Sequence, residues 1–364
     1  MLRVLIVMVL VVLAGCAPRG RLAYLAQPSP EARTIFVGST RAPNPETGQP
    51  FGTERSFDLR LAKFDVATPP DHQSGTIDYP KDGQPADPQT QFMVSSAQID
   101  MSQNAFRRDL RAALARQNGQ AVVFVHGFNN DFSEGLYRMA QLGTDFDLPG
   151  VFVHYSWPSR AHVLGYAYDR DSALFARDGL SELLEDLQAA GARQILLIGH
   201  SLGAQLTMEV LRQEALGHDQ SLLRDINGVI LISPDIAVDV FLSQAQALKT
   251  LPQPFVIFTS QRDRALQLSA RLSGAEDRLG DLKDFKRVAR YKITIVDVGA
   301  FSVGDGHFDL AQSPALIKLL DRAGQVAKVL TGEQIGRTSL ASAVILTVDN
   351  ATQIVLSPLA QSGG

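Results

Sequence analysis

Short apolar runs alternate along this chain with segments whose apolar residues recur at helical spacing. Residues 121–125, 195–198, 228–235, 254–260 and 291–298 read as buried strands, and residues 34–40 and 151–156 join them. Between them, residues 103–117 place Phe106, Leu110 and Leu114 on one helical face. Residues 173–189 do the same with Leu180, Leu183, Leu184 and Leu187. Apolar strands alternating with amphipathic helices predict an α/β protein with a mostly parallel central sheet and helices on both faces. Residues 55–66 alternate only partially, as a half-exposed antiparallel edge strand would. Residues 68–89, rich in Pro, Gly and Asp, predict a long surface loop with a solvated His72. A helix is expected over 315–330. Residues 343–348 and 353–356 are expected to pair as a small hairpin around Asp349-Asn350.

Composition narrows the class. A 364-residue chain with 45% hydrophobic and 20% charged residues can bury a sizeable core. A net charge of −4 gives no basic footprint for nucleic acid. One cysteine excludes an internal disulfide framework and a cysteine-based zinc site.

That cysteine follows a distinctive leader. One arginine, an apolar run and small residues precede Cys16, which reads as a secretory signal too short to span a membrane comfortably. Leu13-Ala14-Gly15-Cys16 resembles a bacterial lipobox. The resemblance implies cleavage before Cys16 and lipidation of that residue, with multiple acyl chains giving a stable anchor. Ala17, rather than Asp, suggests delivery to the outer membrane of a two-membrane envelope. An ordinary signal peptide with an incidental cysteine is the alternative. The expected organisation is a signal peptide over 1–15, a tether over 16–33, the main domain over 34–330 and a C-terminal tail over 331–364.

The chemistry is concentrated where the 195–198 strand ends. Gly199-His200-Ser201-Leu202-Gly203 fits G-x-S-x-G, and an amphipathic stretch with Leu206, Val210 and Leu211 follows. Strand, sharp turn and helix are the context of a nucleophile elbow, in which small flanking residues let strand and helix approach. Ser201 would then sit at a helix N-terminus, where free N–H groups favour a developing oxyanion.

A serine nucleophile needs a base, and the base needs an orienting acid. In the α/β-hydrolase order these follow the serine as acid, then histidine. Of the seven histidines only His307 lies beyond the last clear strand, in a glycine-containing loop. Asp263 directly follows the 254–260 strand and is the expected acid. Asp235, after the preceding strand, is the alternative, and Asp297 reads as structural. Arg262 and Arg264 flank Asp263, so a surface ion pair is its competing reading. The oxyanion donors are expected to be the main-chain N–H of Leu202 and that of Phe128, in His126-Gly127-Phe128-Asn129-Asn130. The Asn129 side chain is an alternative donor. Trp157, Tyr166, Tyr168 and Phe175 are candidate linings of an acyl pocket, and residues 238–251 a candidate part of a cap.

Four segments carry a family resemblance: residues 123–129 around His126-Gly127, Tyr155-Ser156-Trp157-Pro158-Ser159, the Ser201 elbow, and residues 260–266 around Asp263. Together they resemble a bacterial α/β-hydrolase family known as esterase/lipase-superfamily or DUF900. Residues 165–172 resemble the same family, and the likeness covers roughly 34–320. It implies the α/β-hydrolase fold and supports Ser201, His307 and Asp263 as catalytic residues. No triad member is missing.

The expected activity is a lipid-anchored serine hydrolase of carboxylic esters needing neither metal nor organic cofactor. Its expected partners are a small-molecule or lipid ester and, through Cys16, a membrane. An acyltransferase or peptidase would use the same residues, and an envelope lipoprotein that keeps the fold without activity is the non-catalytic alternative.

Overall fold

The computed structural model describes residues 19–81, 83–274, 277–301, 306–307, 312–317 and 343–356. The signal peptide, Cys16 and residues 318–330 of the expected C-terminal helix lie outside them.

The described strands form one eleven-stranded sheet. In chain order they are β1 (Arg33–Arg41), β2 (Arg55–Ala67), β3 (Met93–Gln98), β4 (Gln120–Val125), β5 (Val151–Ser156), β6 (Gln194–His200), β7 (Ile226–Ile232), β8 (Phe255–Thr259), β9 (Ile293–Asp297), β10 (Ala343–Val348) and β11 (Ala351–Leu356). Across the sheet they run β10-β11-β9-β8-β7-β6-β4-β5-β1-β2-β3. From β1 to β11 neighbouring strands are parallel, and the sheet turns antiparallel only at β2 and β3 on one side and β10 on the other. A parallel sheet is stable only when both faces are covered, and the strand sequences follow that demand. In β4, Val123 and Val125 enter one apolar layer and Val122 and Phe124 the other, as side-chain alternation requires.

The helices supply the covers. α1 (Gln103–Arg116) starts at Ser102, whose side chain accepts the Ala105 N–H, and buries Phe106, Leu110 and Leu114. α2 (Phe132–Asp145) starts with an Asp131–Glu134 capping box and packs Leu136, Met139 and Ala140 on the opposite face. α3 (Tyr166–Phe175), α4 (Arg177–Ala190), α5 (Leu202–Leu216), the short α6 (Ser221–Asp225), α7 (Val238–Leu248) and α8 (Arg264–Ser273) complete the set described.

Several expectations change. The single helix expected over 173–189 is two, broken at Ala176, whose carbonyl accepts the Tyr155 hydroxyl. α7 is not part of a cap: its Val238, Phe241 and Ala245 are buried in the core layer that also holds Leu206 and Val210 of α5. His72 is not solvated. Its Nε2 lies 2.6 Å from Asp145 Oδ1, and its side chain is 10% exposed. β3 had no clear alternating signature. The 343–356 hairpin joins the main sheet through β11, beside β9, beyond the expected boundary at 330. The described part of the 16–33 segment is docked rather than extended away. Gly20 bridges to Lys81, Tyr24 bridges to Val94, and Ala23 is buried.

Candidate active site

Ser201 lies between β6 and α5 with φ +53° and ψ −120°, a strained conformation for a residue with a side chain. Glycine makes the turn possible. A Cβ on Gly203 would stand 2.2 Å from the His126 carbonyl oxygen, and one on Gly199 2.8 Å from Ala204 Cα. The Ser201 N–H donates to the Ile232 carbonyl at 3.0 Å, tying the turn to β7. Ser201 is only 2% exposed.

Asp263 and His307 meet. His307 Nδ1 is 2.8 Å from Asp263 Oδ2, while Asp263 Oδ1 accepts the Leu266 N–H at 2.9 Å and so caps α8. Both carboxylate oxygens are therefore committed, and Asp263 is fully buried rather than paired at the surface with Arg262 or Arg264. The His307 ring lies 4.9 Å, centroid to centroid, from that of His200, the residue before Ser201. The imidazole thus sits over the end of β6, oriented from behind by a carboxylate.

Asp235 is occupied elsewhere. It accepts from Ser269 Oγ at 2.7 Å and from Tyr166 Oη at 2.8 Å, and lies 3.2 Å from Arg278 Nε. These partners make it a buried brace between α3 and α8. Burial and the nearby Asp235 carboxylate push the Tyr166 hydroxyl up to about 12.

The loop after β4 lies against the elbow. A Cβ on Gly127 would meet His200 Nδ1 at 2.5 Å and Ser201 Cβ at 2.9 Å, so only glycine fits there. Among the described residues neither the Phe128 nor the Leu202 N–H has a hydrogen-bond acceptor, leaving both for an incoming oxygen. Asn129 follows at φ +58°. Its N–H donates to Asp169 Oδ2 at 3.2 Å.

Two positioning residues escaped the sequence reading. Arg41, fully buried at the end of β1, donates to the Asn130, Gly52 and Ser159 carbonyls and to Ser156 Oγ. Burial lowers its pKa to about 10. Asp169, equally buried, accepts from Asn129 N, Arg160 N and Ser159 Oγ. Burial raises its carboxyl pKa. Together they lock the 126–130 loop to the Trp157-Pro158-Ser159 turn. The available signal was an arginine closing a buried strand and an aspartate in the family-like 165–172 segment.

The aromatic candidates separate. Trp157 is wholly buried and stacks on His126 at 4.7 Å, so it supports the loop and lines no pocket. Tyr166 sets its ring edge-on to Phe128 at 5.5 Å, beside the site. Tyr168 is covered by the guanidinium groups of Arg55 and Arg160. Phe175 packs on Phe57 of β2, itself almost fully exposed.

Three buried histidines give the fold a pH signature. Burial, aided by Arg41, holds His126 well below its usual value, and burial, aided by His307, does the same to His200. Burial lowers His154 to about 3. Each stays neutral when folded but takes up a proton near pH 6.5 when unfolded, so its contribution is present above pH 6.5 and is lost as the pH falls. For His154 alone the loss is about 1.4 kcal/mol at pH 5.5. Buried carboxylates such as Asp169, whose pKa burial raises, act in the opposite sense. The melting temperature is therefore expected to fall between pH 7.5 and 5.5, and less so in His154→Gln. A flat profile would contradict neutral burial.

Among the described residues no group of three or more His, Cys, Asp or Glu side chains is placed to hold a metal ion, and no helix is long and apolar enough to cross a membrane.

Sheet order, elbow and strand-end loops define an α/β hydrolase. The chain belongs to the family described as "Alpha/beta hydrolase of unknown function (DUF900)", which it matches over residues 102–323. Comparison with curated proteins finds no match. Among solved structures it is similar to a provisionally named hydrolase from Agrobacterium vitis S4, at 13% identity and TM-score 0.29, over 77% of this chain and 94% of that one. It is also similar to a lipase-esterase related protein from Clostridium acetobutylicum ATCC 824, at 14% identity and TM-score 0.24, over 55% of this chain and 81% of that one. At those scores neither likeness bears on the site or the reaction.

Proposed function

We propose that this protein is a serine hydrolase of carboxylic esters, held at a membrane by lipidated Cys16, on the periplasmic side of an outer membrane. The observation that carries the reading is the His307–Asp263 hydrogen bond beside a serine in elbow geometry. His307 Nε2 takes the Ser201 proton as Oγ attacks the acyl carbon. The N–H groups of Phe128 and Leu202 hold the oxyanion. Collapse breaks the ester C–O bond, and the proton on His307 goes to the leaving alkoxide. Water, deprotonated by His307, then attacks the acyl-enzyme, the acid leaves, and Ser201 regains its proton. Asp263 stays ionised, fixing the imidazole tautomer and stabilising the imidazolium. No step calls on a metal or organic cofactor.

A fluorophosphonate probe tests the reading on purified protein. Stoichiometric labelling at Ser201 is expected. A folded protein that takes up no label would sink the enzyme claim.

A further inference from the structure

Arg19, three residues after the candidate anchor Cys16, lies against a loop of the candidate active site. Arg19 Nη2 donates to Asn129 O and Oδ1, both at 2.9 Å, and Arg19 Nη1 lies 3.5 Å from Glu134. Arg19 therefore grips the loop that carries Phe128, at the edge of the sheet where Ser201 sits. Cys16 is three residues earlier. A fully extended chain spans at most about 11 Å over that distance. A lipid on Cys16 would therefore keep Arg19 within about that distance of the lipidated residue.

The surface beside the strand-end loops that carry Ser201 and Phe128, the mouth of the candidate site, is suited to a bilayer. From Arg19 the contacts run through Asn129 to Asp169, whose Oδ1 is 3.8 Å from where a Cβ on Gly165 would lie. Beside Gly165 are Leu164, 86% exposed, and Val163, 58% exposed. The next residue, Tyr166, bonds Ser269 Oγ at 2.6 Å, which brings in α8 and its exposed Leu268. Arg262 and Arg264 are exposed at the start of α8, and neither has a carboxylate partner among the described residues. Protruding aliphatic side chains beside exposed arginines suit a surface seated at an anionic lipid interface. They stand on a chain whose net charge is −4.

We propose that this mouth docks on the bilayer that holds the anchor, and that its substrate is an ester resident in that bilayer. The proposal rests on Cys16 being lipidated and on Ser201 being the nucleophile. It adds an orientation and a substrate class that neither requires. Val163, Leu164 and Leu268 enter the acyl boundary, Arg262 and Arg264 meet anionic headgroups, and a lipid ester reaches Ser201 without crossing bulk water.

Because Cys16 is the only cysteine, Leu164→Cys in the lipidated full-length chain carries the sole free thiol. A fluorophore placed there is compared with one on Gln117→Cys, exposed at the opposite end of the sheet after α1. In vesicles of phosphatidylethanolamine and phosphatidylglycerol bearing nitroxide lipids, loss of emission is expected at position 164 and not at 117. Equal quenching, or quenching at 117 alone, overturns the orientation. Dye uptake by unsubstituted protein would show instead that the anchoring reading had failed, and with it the basis of this proposal.

A kinetic arm uses Leu164→Asp with Leu268→Asp. Hydrolysis of a fluorogenic ester embedded in the same vesicles should fall about tenfold to a hundredfold, the scale of burying one leucine. Turnover of a soluble short-chain ester should stay unchanged. Undiminished vesicle turnover rejects the docking role of Leu164 and Leu268, and unsubstituted protein that cleaves the soluble ester but not the embedded one rejects the lipid-ester substrate class. If unsubstituted protein hydrolyses neither ester, the esterase reading itself falls, while the quenching result still decides the orientation.

Discussion

Ser201→Ala is expected to abolish fluorophosphonate labelling and to lower kcat on short p-nitrophenyl esters by about 10,000-fold or more, leaving only what oxyanion donors and binding supply. The melting temperature should stay within a few degrees, because the substitution removes one hydroxyl and leaves the backbone unchanged. Ser201→Gly makes the complementary point. With φ at +53°, the site carries strain that glycine does not feel, of order 1–3 kcal/mol. That variant should be equally inactive and melt at or above the parent temperature. Full activity in either variant would require a different nucleophile. A sharp loss of stability in both would mean that the serine is structural.

Much of this arrangement is legible in the sequence, for an identifiable reason. Parallel strands are buried on both faces, so β4, β6, β7 and β8 announce themselves as apolar runs, and each run ends where a functional loop begins. Ser201, Asp263 and His307 each lie in a loop that follows such a run. The Asp263–His307 contact then spans 44 positions. Residues whose roles depend on distant partners were not legible. Nothing near Arg41 in sequence says that it will meet Asn130 and Ser159, and nothing near Asp235 announces Arg278. Trp157 failed as a pocket residue for the same reason: an aromatic beside a strand end looks alike whether it faces substrate or, as here, stacks on His126. The C-terminal hairpin was recognised as a hairpin, but its place beside β9 is a matter of tertiary register.

The two aspartates give the other large effect, because they should fail differently. Asp263→Asn keeps the shape of the side chain, and its amide oxygen can still accept from Leu266. An amide NH2 facing His307, however, favours the tautomer with its proton on Nε2, which cannot accept from Ser201. A loss of about 10,000-fold in kcat is expected, with KM little changed and the fold retained. Asp235→Asn should behave in the opposite way. It removes the charge opposite Arg278, a side chain only 5% exposed, and breaking a buried pair costs about 3–5 kcal/mol. Hydrogen bonds from Ser269 and Tyr166 can still be accepted, so the protein that remains folded should turn over ester at close to the parent rate. Chemical denaturation and active-site-titrated kinetics on both variants separate the outcomes. If Asp235→Asn is the variant that loses kcat while Asp263→Asn keeps it, then the 2.8 Å contact to His307 is not the catalytic one and the acid must be reassigned.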